Sequence, residues 1–323
     1  MTGEGSVPGG VSVVGKVLAI QSHVVHGYVG NRAATFPLQY RGWDVDALNT
    51  VQYSNHLGYG QATGFKYSGE ELCSVFRDGL LKAMGNRYDA IITGYTPSAE
   101  VLEDISGIIK NQLNQQQDLK WIVDPVLGDN GRLYVSEDIV PVYKRLLSQN
   151  KIFLATPNQF EMELLSESEL TDLESASTAV SKFFQLYPHV ERLVVTSVVL
   201  AGSDDYVVIA ADRTTSPQDT IYIRSPRIKC HFSGSGDLFT ALLVDALLRD
   251  RESTKLSQAV AKSQWMIGSV LQRTYEQALK SGELKDQDSP VIKDLKLIQC
   301  RELFRLHDIP EIPITGHINV PQT

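Results

Sequence analysis

The sequence is poor in cysteine and has no long apolar segment. Its three cysteines, Cys73, Cys230 and Cys300, are scattered along 323 residues and odd in number, which argues against a disulfide framework and predicts buried thiols in a reducing compartment. No apolar run approaches the ~20 residues that span a bilayer. The sequence also lacks a signal-peptide cleavage pattern and any N-x-[ST] site. We therefore expect a cytoplasmic protein without a membrane partner, with a nuclear pool as an alternative.

An excess of positive charge is also lacking. The 30 Lys and Arg residues are outnumbered by 38 Asp and Glu residues, which gives a net charge of -8. This charge argues against general binding to nucleic acid or to a membrane surface, so a polyanionic substrate would have to bind at a local site. The length allows one large domain or two small ones.

Apolar patterns typical of strands and helices alternate along the chain. Residues 1–15 are Gly-rich and weakly patterned, so we expect a mobile N-terminal tail and then a single domain over residues 16–323. The alternation predicts an α/β fold of three layers, with a central, mostly parallel sheet between helices and small extra edge strands. The predicted strands are residues 17–21, 43–48, 89–93, 121–123, 152–155, 193–196, 206–210 and 220–224. The predicted helices are residues 30–40, 70–84, 101–109, 138–147, 158–165, 175–186, 238–248 and 254–278.

Three of these helices carry a more specific prediction. Pro37 is expected to shorten or kink the helix over residues 30–40. Residues 238–248 are apolar nearly all round, which predicts a buried helix. The periodicity over residues 70–84 predicts one amphipathic helix with a single apolar face. That face comprises Leu72, Val75, Phe76, Leu80 and Met84.

A glycine-rich turn precedes the predicted buried helix. Residues 232–237 read Phe-Ser-Gly-Ser-Gly-Asp. Two glycines allow a tight turn with exposed N–H groups, and the helix that follows adds its positive dipole end, so the segment is typical of an anion site. Asp237 is the one residue there that can take a proton. Taken alone, Asp237 is more simply interpreted as a helix N-cap, and the rest of the chain has to decide. The segment is not a dinucleotide fingerprint, whose third glycine would fall at Phe239.

Polar side chains follow several predicted strands, where ligands of open α/β sheets bind. They are Asp124, Asp129, Asn158, Glu161, Thr196 and Ser197. Carboxylate and amide oxygens are hard ligands suited to magnesium. For any single residue a turn or a helix cap is the simpler interpretation. The four carboxylate and amide groups after these strands, together with the anion site, are harder to explain by capping alone. They belong to Asp124, Asp129, Asn158 and Glu161.

The motifs resemble those of the ribokinase-like superfamily, and more specifically those of eukaryotic pyridoxal kinases. The glycine-rich turn is similar to the superfamily's anion hole, and Asn158-x-x-Glu161 is similar to its magnesium motif. The matching blocks run in family order from about Lys16 to about Arg301. They are residues 20–24, 27–39, 51–56, 93–95, 124–129, 156–161 and 232–237.

The resemblance implies transfer of the ATP γ-phosphate to the 5′-hydroxymethyl group of pyridoxal, pyridoxine or pyridoxamine. Asp237 would be the general base, and the N–H groups of Gly234, Ser235 and Gly236 would form the anion hole. Family members are typically homodimers, and we expect one here.

The same resemblance implies a set of ligand-binding residues. Mg²⁺ would be organised by Asp124, Asn158 and Glu161, and a monovalent cation such as K⁺ by Asp129 and Thr156. The residues on the ATP side would be Asp124, Tyr134, Asn158, Thr196, Ser197 and Ser235. The residues lining the vitamin pocket would be Ser22, Val29, Tyr53, His56, Leu57 and Tyr95, together with Asp237.

Leu57 departs from the family pattern, which usually has Thr at this place. The lost hydroxyl puts the substrate preference in doubt, but not the reaction. The main alternative is a kinase of the same fold for another hydroxymethyl heterocycle such as hydroxymethylpyrimidine. A nicotinamide-dependent oxidoreductase would need a Gly-rich turn after the first strand, which residues 21–23 lack, and a non-catalytic vitamin-binding protein would tolerate loss of Asp237, which is present.

Overall fold

The computed structural model describes residues 13–215, 220–250, 254–284, 290–306 and 308–320. The strands are β1 (Lys16–Val24), β2 (Asp44–Tyr53), β3 (Gly64–Lys66), β4 (Ala90–Thr93), β5 (Lys120–Val123), β6 (Gly128–Asp129), β7 (Arg132–Leu133), β8 (Leu154–Ala155), β9 (Arg192–Val199), β10 (Tyr206–Asp212), β11 (Ile221–Ser225), β12 (His231–Phe232), β13 (Val291–Ile292) and β14 (Gly316–His317). The helices are α1 (Asn31–Tyr40), α2 (Gly69–Cys73), α3 (Ala99–Gln115), α4 (Ile139–Gln149), α5 (Gln159–Ser166), α6 (Leu173–Leu186), α7 (Ser235–Leu248) and α8 (Leu256–Ser281).

Ten of the described strands form one sheet, in the order β14-β11-β10-β9-β8-β5-β4-β1-β2-β3. The six strands from β9 to β2 pair in parallel. Antiparallel strands extend the sheet at both edges, β10, β11 and β14 on one side and β3 on the other. The predicted parallel sheet with extra edge strands is therefore confirmed.

The sheet separates two apolar cores. Successive side chains of a strand point to opposite faces, and β1 divides accordingly: Leu18 and Ile20 join one core, Val17 and Ala19 the other. Residues of α2 to α6 cover the first face, and residues of α1, α7 and α8 cover the second. The predicted three-layer arrangement is confirmed, and α7 is buried over most of its length, as its all-round apolar sequence predicts.

The single amphipathic helix predicted over residues 70–84 is wrong. α2 ends at Cys73 and the chain continues as a π-helix over Ser74–Ala83. The wider i→i+5 turn rotates later residues away from the expected stripe. Phe76 is fully buried, whereas Val75 is 50% and Met84 68% exposed.

Pro37 neither shortens α1 nor ends it, because the helix continues through Pro37 to Tyr40. At the N-terminus, residues 1–12 of the predicted tail lie outside the described residues. Val14 already donates its N–H to the Gly42 carbonyl at 3.0 Å, so ordered structure begins before Lys16. The three cysteines are buried free thiols, as expected.

Candidate active site

The glycine-rich turn joins β12 to α7 at the carboxyl edge of the parallel sheet. We call residues 233–236 the anion loop. Gly234 has φ 80°, and a Cβ there would lie 2.0 Å from the Tyr28 carbonyl oxygen. Only glycine fits this position, both for its left-handed backbone and for the close approach of the chain. Because α7 begins at Ser235, its first N–H groups and positive dipole end are directed to this loop.

Asp237 lies in the first turn of α7, as predicted. Its Oδ2 accepts a hydrogen bond from the Gly30 N–H at 2.8 Å. Burial raises the pKa of Asp237 to about 6, and the Gly30 hydrogen bond partly opposes this shift. A carboxylate with a pKa just below neutrality can accept a proton at physiological pH.

Gly30 contacts two segments that are far apart in the chain, at Ser22 and at Asp237. Its φ is 53°, and a Cβ there would lie 2.2 Å from the Ser22 carbonyl oxygen and 2.3 Å from the Ser22 Oγ. Gly30 therefore separates Ser22, a predicted vitamin contact, from Asp237. Ser22 and the Asp237 carboxylate thus lie on either side of the same glycine.

Asp124 is a buried carboxylate at the end of β5. Its Oδ2 accepts a hydrogen bond from the Thr240 Oγ1 at 3.3 Å, and the Thr240 Oγ1 lies 3.0 Å from the Thr156 Oγ1. Burial raises the pKa of Asp124 well above its usual value, and the nearby negative charges of Glu161 and Asp237 raise it further. Among the described residues no cationic side chain forms an ion pair with Asp124.

Asn158 and Glu161 form a capping box at the start of α5. The Asn158 Oδ1 accepts from the Glu161 N–H at 3.0 Å, and the Glu161 Oε2 accepts from the Asn158 N–H at 2.8 Å. The Glu161 Oε1 also accepts from the N–H groups of Leu127 and Gly128 at 2.9 and 3.3 Å. The capping interpretation is thus correct, and the pair also fixes the loop that follows Asp124.

These carboxylates fit a hydrated cation better than a closed protein cage. Burial raises the pKa of Glu161 as well as those of Asp124 and Asp237, and within the described ranges no cationic side chain pairs with any of the three. In the part of the chain that the structure describes, no three His, Cys, Asp or Glu side chains converge as metal ligands. Magnesium commonly takes one or two carboxylates and completes its shell with water and substrate phosphates.

Asp129 and Thr156, the two residues predicted for a monovalent cation, hydrogen-bond different partners. Asp129, in the hairpin of β6 and β7, hydrogen-bonds Tyr134, which raises the Tyr134 pKa in addition to the effect of burial. Thr156 instead bonds Thr240 beside Asp124. Tyr134 is half-exposed, as a residue over a nucleotide would be.

Thr196 and Ser197 do not end their strand as predicted, because β9 continues to Val199; its register with β10 shifts at these two residues. The Thr196 N–H donates to the Pro157 carbonyl at 2.9 Å, which places it beside Asn158. Ser197 has φ 55°, an uncommon conformation for a residue other than glycine. Such backbone strain concentrates at functional sites, and the ATP contact of Ser197 stays a prediction.

Two tyrosines predicted for the vitamin pocket lie near each other. Burial, and then the Tyr53 charge, raise the pKa of Tyr95 to about 12. The Tyr95 carbonyl accepts from the Thr50 Oγ1 at 2.8 Å, which ties the loop after β4 to β2. Leu57 opens the short helix that follows β2 and is 59% exposed.

His56 precedes that short helix and is held neutral. Its Nδ1 accepts from the Gly58 N–H at 3.2 Å, so the proton resides on Nε2, which donates to the Lys293 carbonyl at 2.9 Å. Burial is the largest influence and lowers the His56 pKa. With both ring nitrogens engaged, His56 is unsuited to act as the base.

Comparison with known proteins identifies the family. The sequence model of the family described as phosphomethylpyrimidine kinase matches residues 82–285. The protein BUD17 of Saccharomyces cerevisiae is 51% identical, covering 92% of this chain and 95% of its own length. The pyridoxal kinase of Homo sapiens is 36% identical, covering 94% of this chain and 98% of its own. The chain belongs to the pyridoxal kinase family.

A solved structure of this family supports the assignment. The pyridoxal kinase of Leishmania donovani, in complex with ADP and pyridoxine, superposes with a TM-score of 0.77 and 32% identity, covering 92% of this chain and 97% of its own. The ribokinase-like fold is therefore confirmed. A nicotinamide-dependent oxidoreductase does not fit this family. No helix within the described ranges has the length and apolar character to cross a membrane.

For a pyridoxal kinase site, the sequence interpretation missed two contributors. Gly30 donates to Asp237 across 207 positions, and Thr240 holds Asp124 across 116. Gly30 lies within a block that resembles the family, but nothing in that block indicates its partner. Thr240 follows Asp237 by three residues, the spacing that puts two side chains on one helix face, and this was the available signal.

Proposed function

We propose that the protein phosphorylates the 5′-hydroxymethyl group of vitamin B6 compounds with ATP. The observation that carries this proposal is the Asp237 carboxylate, held by Gly30 beside the anion loop. The Leishmania donovani pyridoxal kinase forms a complex with ADP and pyridoxine. By analogy, we assign Ser22, Tyr53 and Tyr95 of this chain to the vitamin side and the anion loop to the phosphate side.

The reaction is a direct displacement. The vitamin hydroxyl oxygen attacks the γ-phosphorus, the new O–P bond forms as the bond to the β–γ bridging oxygen breaks, and the hydroxyl proton passes to Asp237. Phosphoryl transfer needs positioning and charge neutralisation more than covalent assistance. The N–H groups of Gly234, Ser235 and Gly236 would stabilise the negative charge of the transferring group, with Thr196, Ser197 and Tyr134 on the ATP side.

We also propose that Asp124, with Asn158 and Glu161 acting through water, holds Mg²⁺, which would neutralise phosphate charge when bound. The burial of the Asp124 carboxyl group without a cationic partner among the described residues supports this assignment, because a bound cation would favour its charged form. Asp129 and Thr156 are the proposed K⁺ residues. A cytoplasmic homodimer is proposed from the family resemblance, and analytical ultracentrifugation would test the dimer.

A panel of acceptors tests the function. ATP consumption would be measured with Mg²⁺ and K⁺ on pyridoxal, pyridoxine, pyridoxamine and hydroxymethylpyrimidine. We expect turnover on at least one B6 compound and much less on hydroxymethylpyrimidine. The pyrimidine alternative rests on the family description, and preferential turnover of hydroxymethylpyrimidine would establish it.

Leu57→Thr is the matched variant for this panel. A restored hydroxyl adds at most one hydrogen bond, about 0.5–1.5 kcal/mol, so acceptor KM values should change by roughly tenfold or less while kcat persists. Binding of B6 compounds without turnover on any acceptor would favour the non-catalytic alternative.

A further inference from the structure

A short segment near the C-terminal end, residues 291–294, connects the two halves of the proposed site. β13 pairs in parallel with β12, with Val291 opposite His231 and Ile292 opposite Phe232. The Ser233 N–H continues this pairing to the Ile292 carbonyl at 3.4 Å. Ile292 is fully buried. The segment is therefore fixed to the strand that leads directly into the anion loop.

At the end of this segment, Asp294 bonds two different turns of the vitamin side. Its Oδ1 accepts from the Tyr28 N–H at 3.2 Å, and its Oδ2 accepts from the Tyr59 hydroxyl. The Asp294 side chain is only 16% exposed. The turn at residues 27–29 includes the predicted contact Val29, and the turn at residues 56–59 includes His56 and Leu57.

The surroundings of Tyr59 strengthen the same connection. The Lys293 Nζ lies 4.5 Å from the centre of the Tyr59 ring, and the His56 ring meets it edge-on at 4.9 Å. The Lys293 carbonyl also accepts from the His56 Nε2. The turn at residues 56–59 is thus held by the backbone, a cation and the carboxylate of one short segment.

The close approach at Gly27 shows how tightly the first turn is held. Gly27 has φ 99°, and a Cβ there would lie 2.4 Å from the Asp294 Oδ1. On the other side, the Tyr28 carbonyl is in close contact with Gly234 of the anion loop. The turn is therefore enclosed between Asp294 and the loop that would receive the phosphoryl group.

We infer that Asp294 is a positioning residue for phosphoryl transfer: it fixes the turns at residues 27–29 and 56–59, on the vitamin side, relative to the anion loop. Asp294 contacts neither the proposed base nor the anion loop itself and acts through Tyr28 and Tyr59. This inference rests on the proposed function. Since displacements of about 1 Å at a reacting centre can cost 10²-fold in rate, a loosened pocket should be visible in the kinetics of the vitamin substrate.

The test compares Asp294→Ala with Asp294→Asn and Tyr59→Phe. For Asp294→Ala we expect the KM for the B6 substrate to rise at least about tenfold while the KM for ATP changes less than about twofold. Asp294→Asn keeps an acceptor for the Tyr28 N–H and should recover part of the loss. Tyr59→Phe removes one of the two bonds and should fall between wild type and Asp294→Ala. Glu302→Ala, an exposed carboxylate on the same C-terminal stretch, is the control and should match wild type.

Hydrogen exchange of the ligand-free protein provides a readout that needs no substrate. In Asp294→Ala, amides of residues 26–30 and 56–60 should exchange faster than in wild type, while those of α3 stay unchanged. Equal exchange in the two proteins, or equal rises in both KM values, would overturn the inference. Faster exchange in those two turns would support their positioning by Asp294, whether or not wild type phosphorylates a B6 compound. Absence of turnover in wild type would contradict the proposed reaction and not the contact between Asp294 and the two turns.

Discussion

Helix α7 carries two aspartates, and their surroundings are opposite. Asp237, in the first turn, has the Gly30 N–H as its hydrogen-bond donor and an elevated pKa. Asp245, eight residues later, is 2% exposed and receives hydrogen bonds from Arg41, Trp43 and Arg249. The Arg41 Nη1 also donates to the carbonyls of Phe304 and Leu306 at 3.0 Å each.

The difference separates stability from chemistry within one helix. A buried charge that is paired on all sides holds elements together, and removing a partner is strongly destabilising. A buried carboxylate left short of partners is costly to the fold, but it is a ready proton acceptor. Within α7, the fully paired Asp245 thus serves stability and the sparsely paired Asp237 serves chemistry. Each role can be tested by its own variant.

The largest expected effect is at the reactive end. Asp237→Asn keeps an acceptor for the Gly30 N–H but loses the base, so turnover should fall by about 10²–10⁴-fold. The same change removes a desolvated charge, so the thermal midpoint should stay equal or rise. Steady-state kinetics and calorimetry on the same preparation would measure both. Near-normal turnover would contradict the general-base assignment.

Asp245→Ala should give the reverse pattern. Arg41 and Arg249 would lose their carboxylate in a buried setting, and the free energy of unfolding should fall by about 3–5 kcal/mol. The folded fraction should keep near-normal turnover. Denaturant unfolding would be compared with Asp78→Ala, which removes an exposed ion pair and should leave stability unchanged. A clear loss of turnover in folded Asp245→Ala protein would show that the environment of Asp245 is not independent of the reaction at Asp237.

Gly30→Ala sharpens the comparison at the glycine that separates Ser22 from Asp237. The new methyl group would meet the Ser22 carbonyl, displace the donor of Asp237 and lower turnover at least about tenfold. Gly85→Ala is the matched control, because Gly85 has φ 67° and open space around it. It should lose roughly 1–2 kcal/mol of stability from the left-handed backbone alone, with kinetics unchanged. Equal kinetics in both variants would show that the Gly30 contact is not needed.

The pH dependence is the smallest expected effect. Because the active form of Asp237 is the carboxylate and its folded pKa is about 6, kcat/KM should decline about tenfold per unit below pH 6. The folded pKa is raised, so Asp237 favours the folded state at acid pH, and this contribution is lost as pH rises between 3.8 and about 6. Asp237→Asn should remove that contribution, as pH titrations of stability would reveal. A kcat/KM that stays flat down to pH 5 would argue against Asp237 as the group that titrates.

The sequence predicts most of the fold because its signals are local. The alternating strands and helices and the all-round apolar α7 depend on residues close in the chain, and the structure confirms them. The π-helix after Cys73 escaped prediction, since its residues carry an ordinary helical pattern.

The site was predictable where it depends on residue type and not where it depends on contact. Asp237, Asp124 and the Asn158–Glu161 pair stand in recognisable motifs. The bonds that prepare Asp237 and Asp124 join positions 207 and 116 residues apart, and backbone donors such as the Gly30 N–H have no residue type to recognise. Hydrogen bonds across the fold are set by topology, so they become visible only in three dimensions.

The short strand β14 has a consequence for solubility. Residues 315–318 pair with the outer side of β11 and its approach: the Thr315 and Ile318 N–H groups donate to the Tyr222 and Thr220 carbonyls, and the Arg224 N–H donates to the Thr315 Oγ1. Without this stretch, β11, which carries Ile221 and Ile223, would present a free backbone edge of the kind that recruits other chains. Residues 315–318 thus cover the backbone edge of β11 and oppose edge-to-edge aggregation. A chain trimmed before Thr315 would keep every residue of the proposed site but would expose that edge and aggregate more readily.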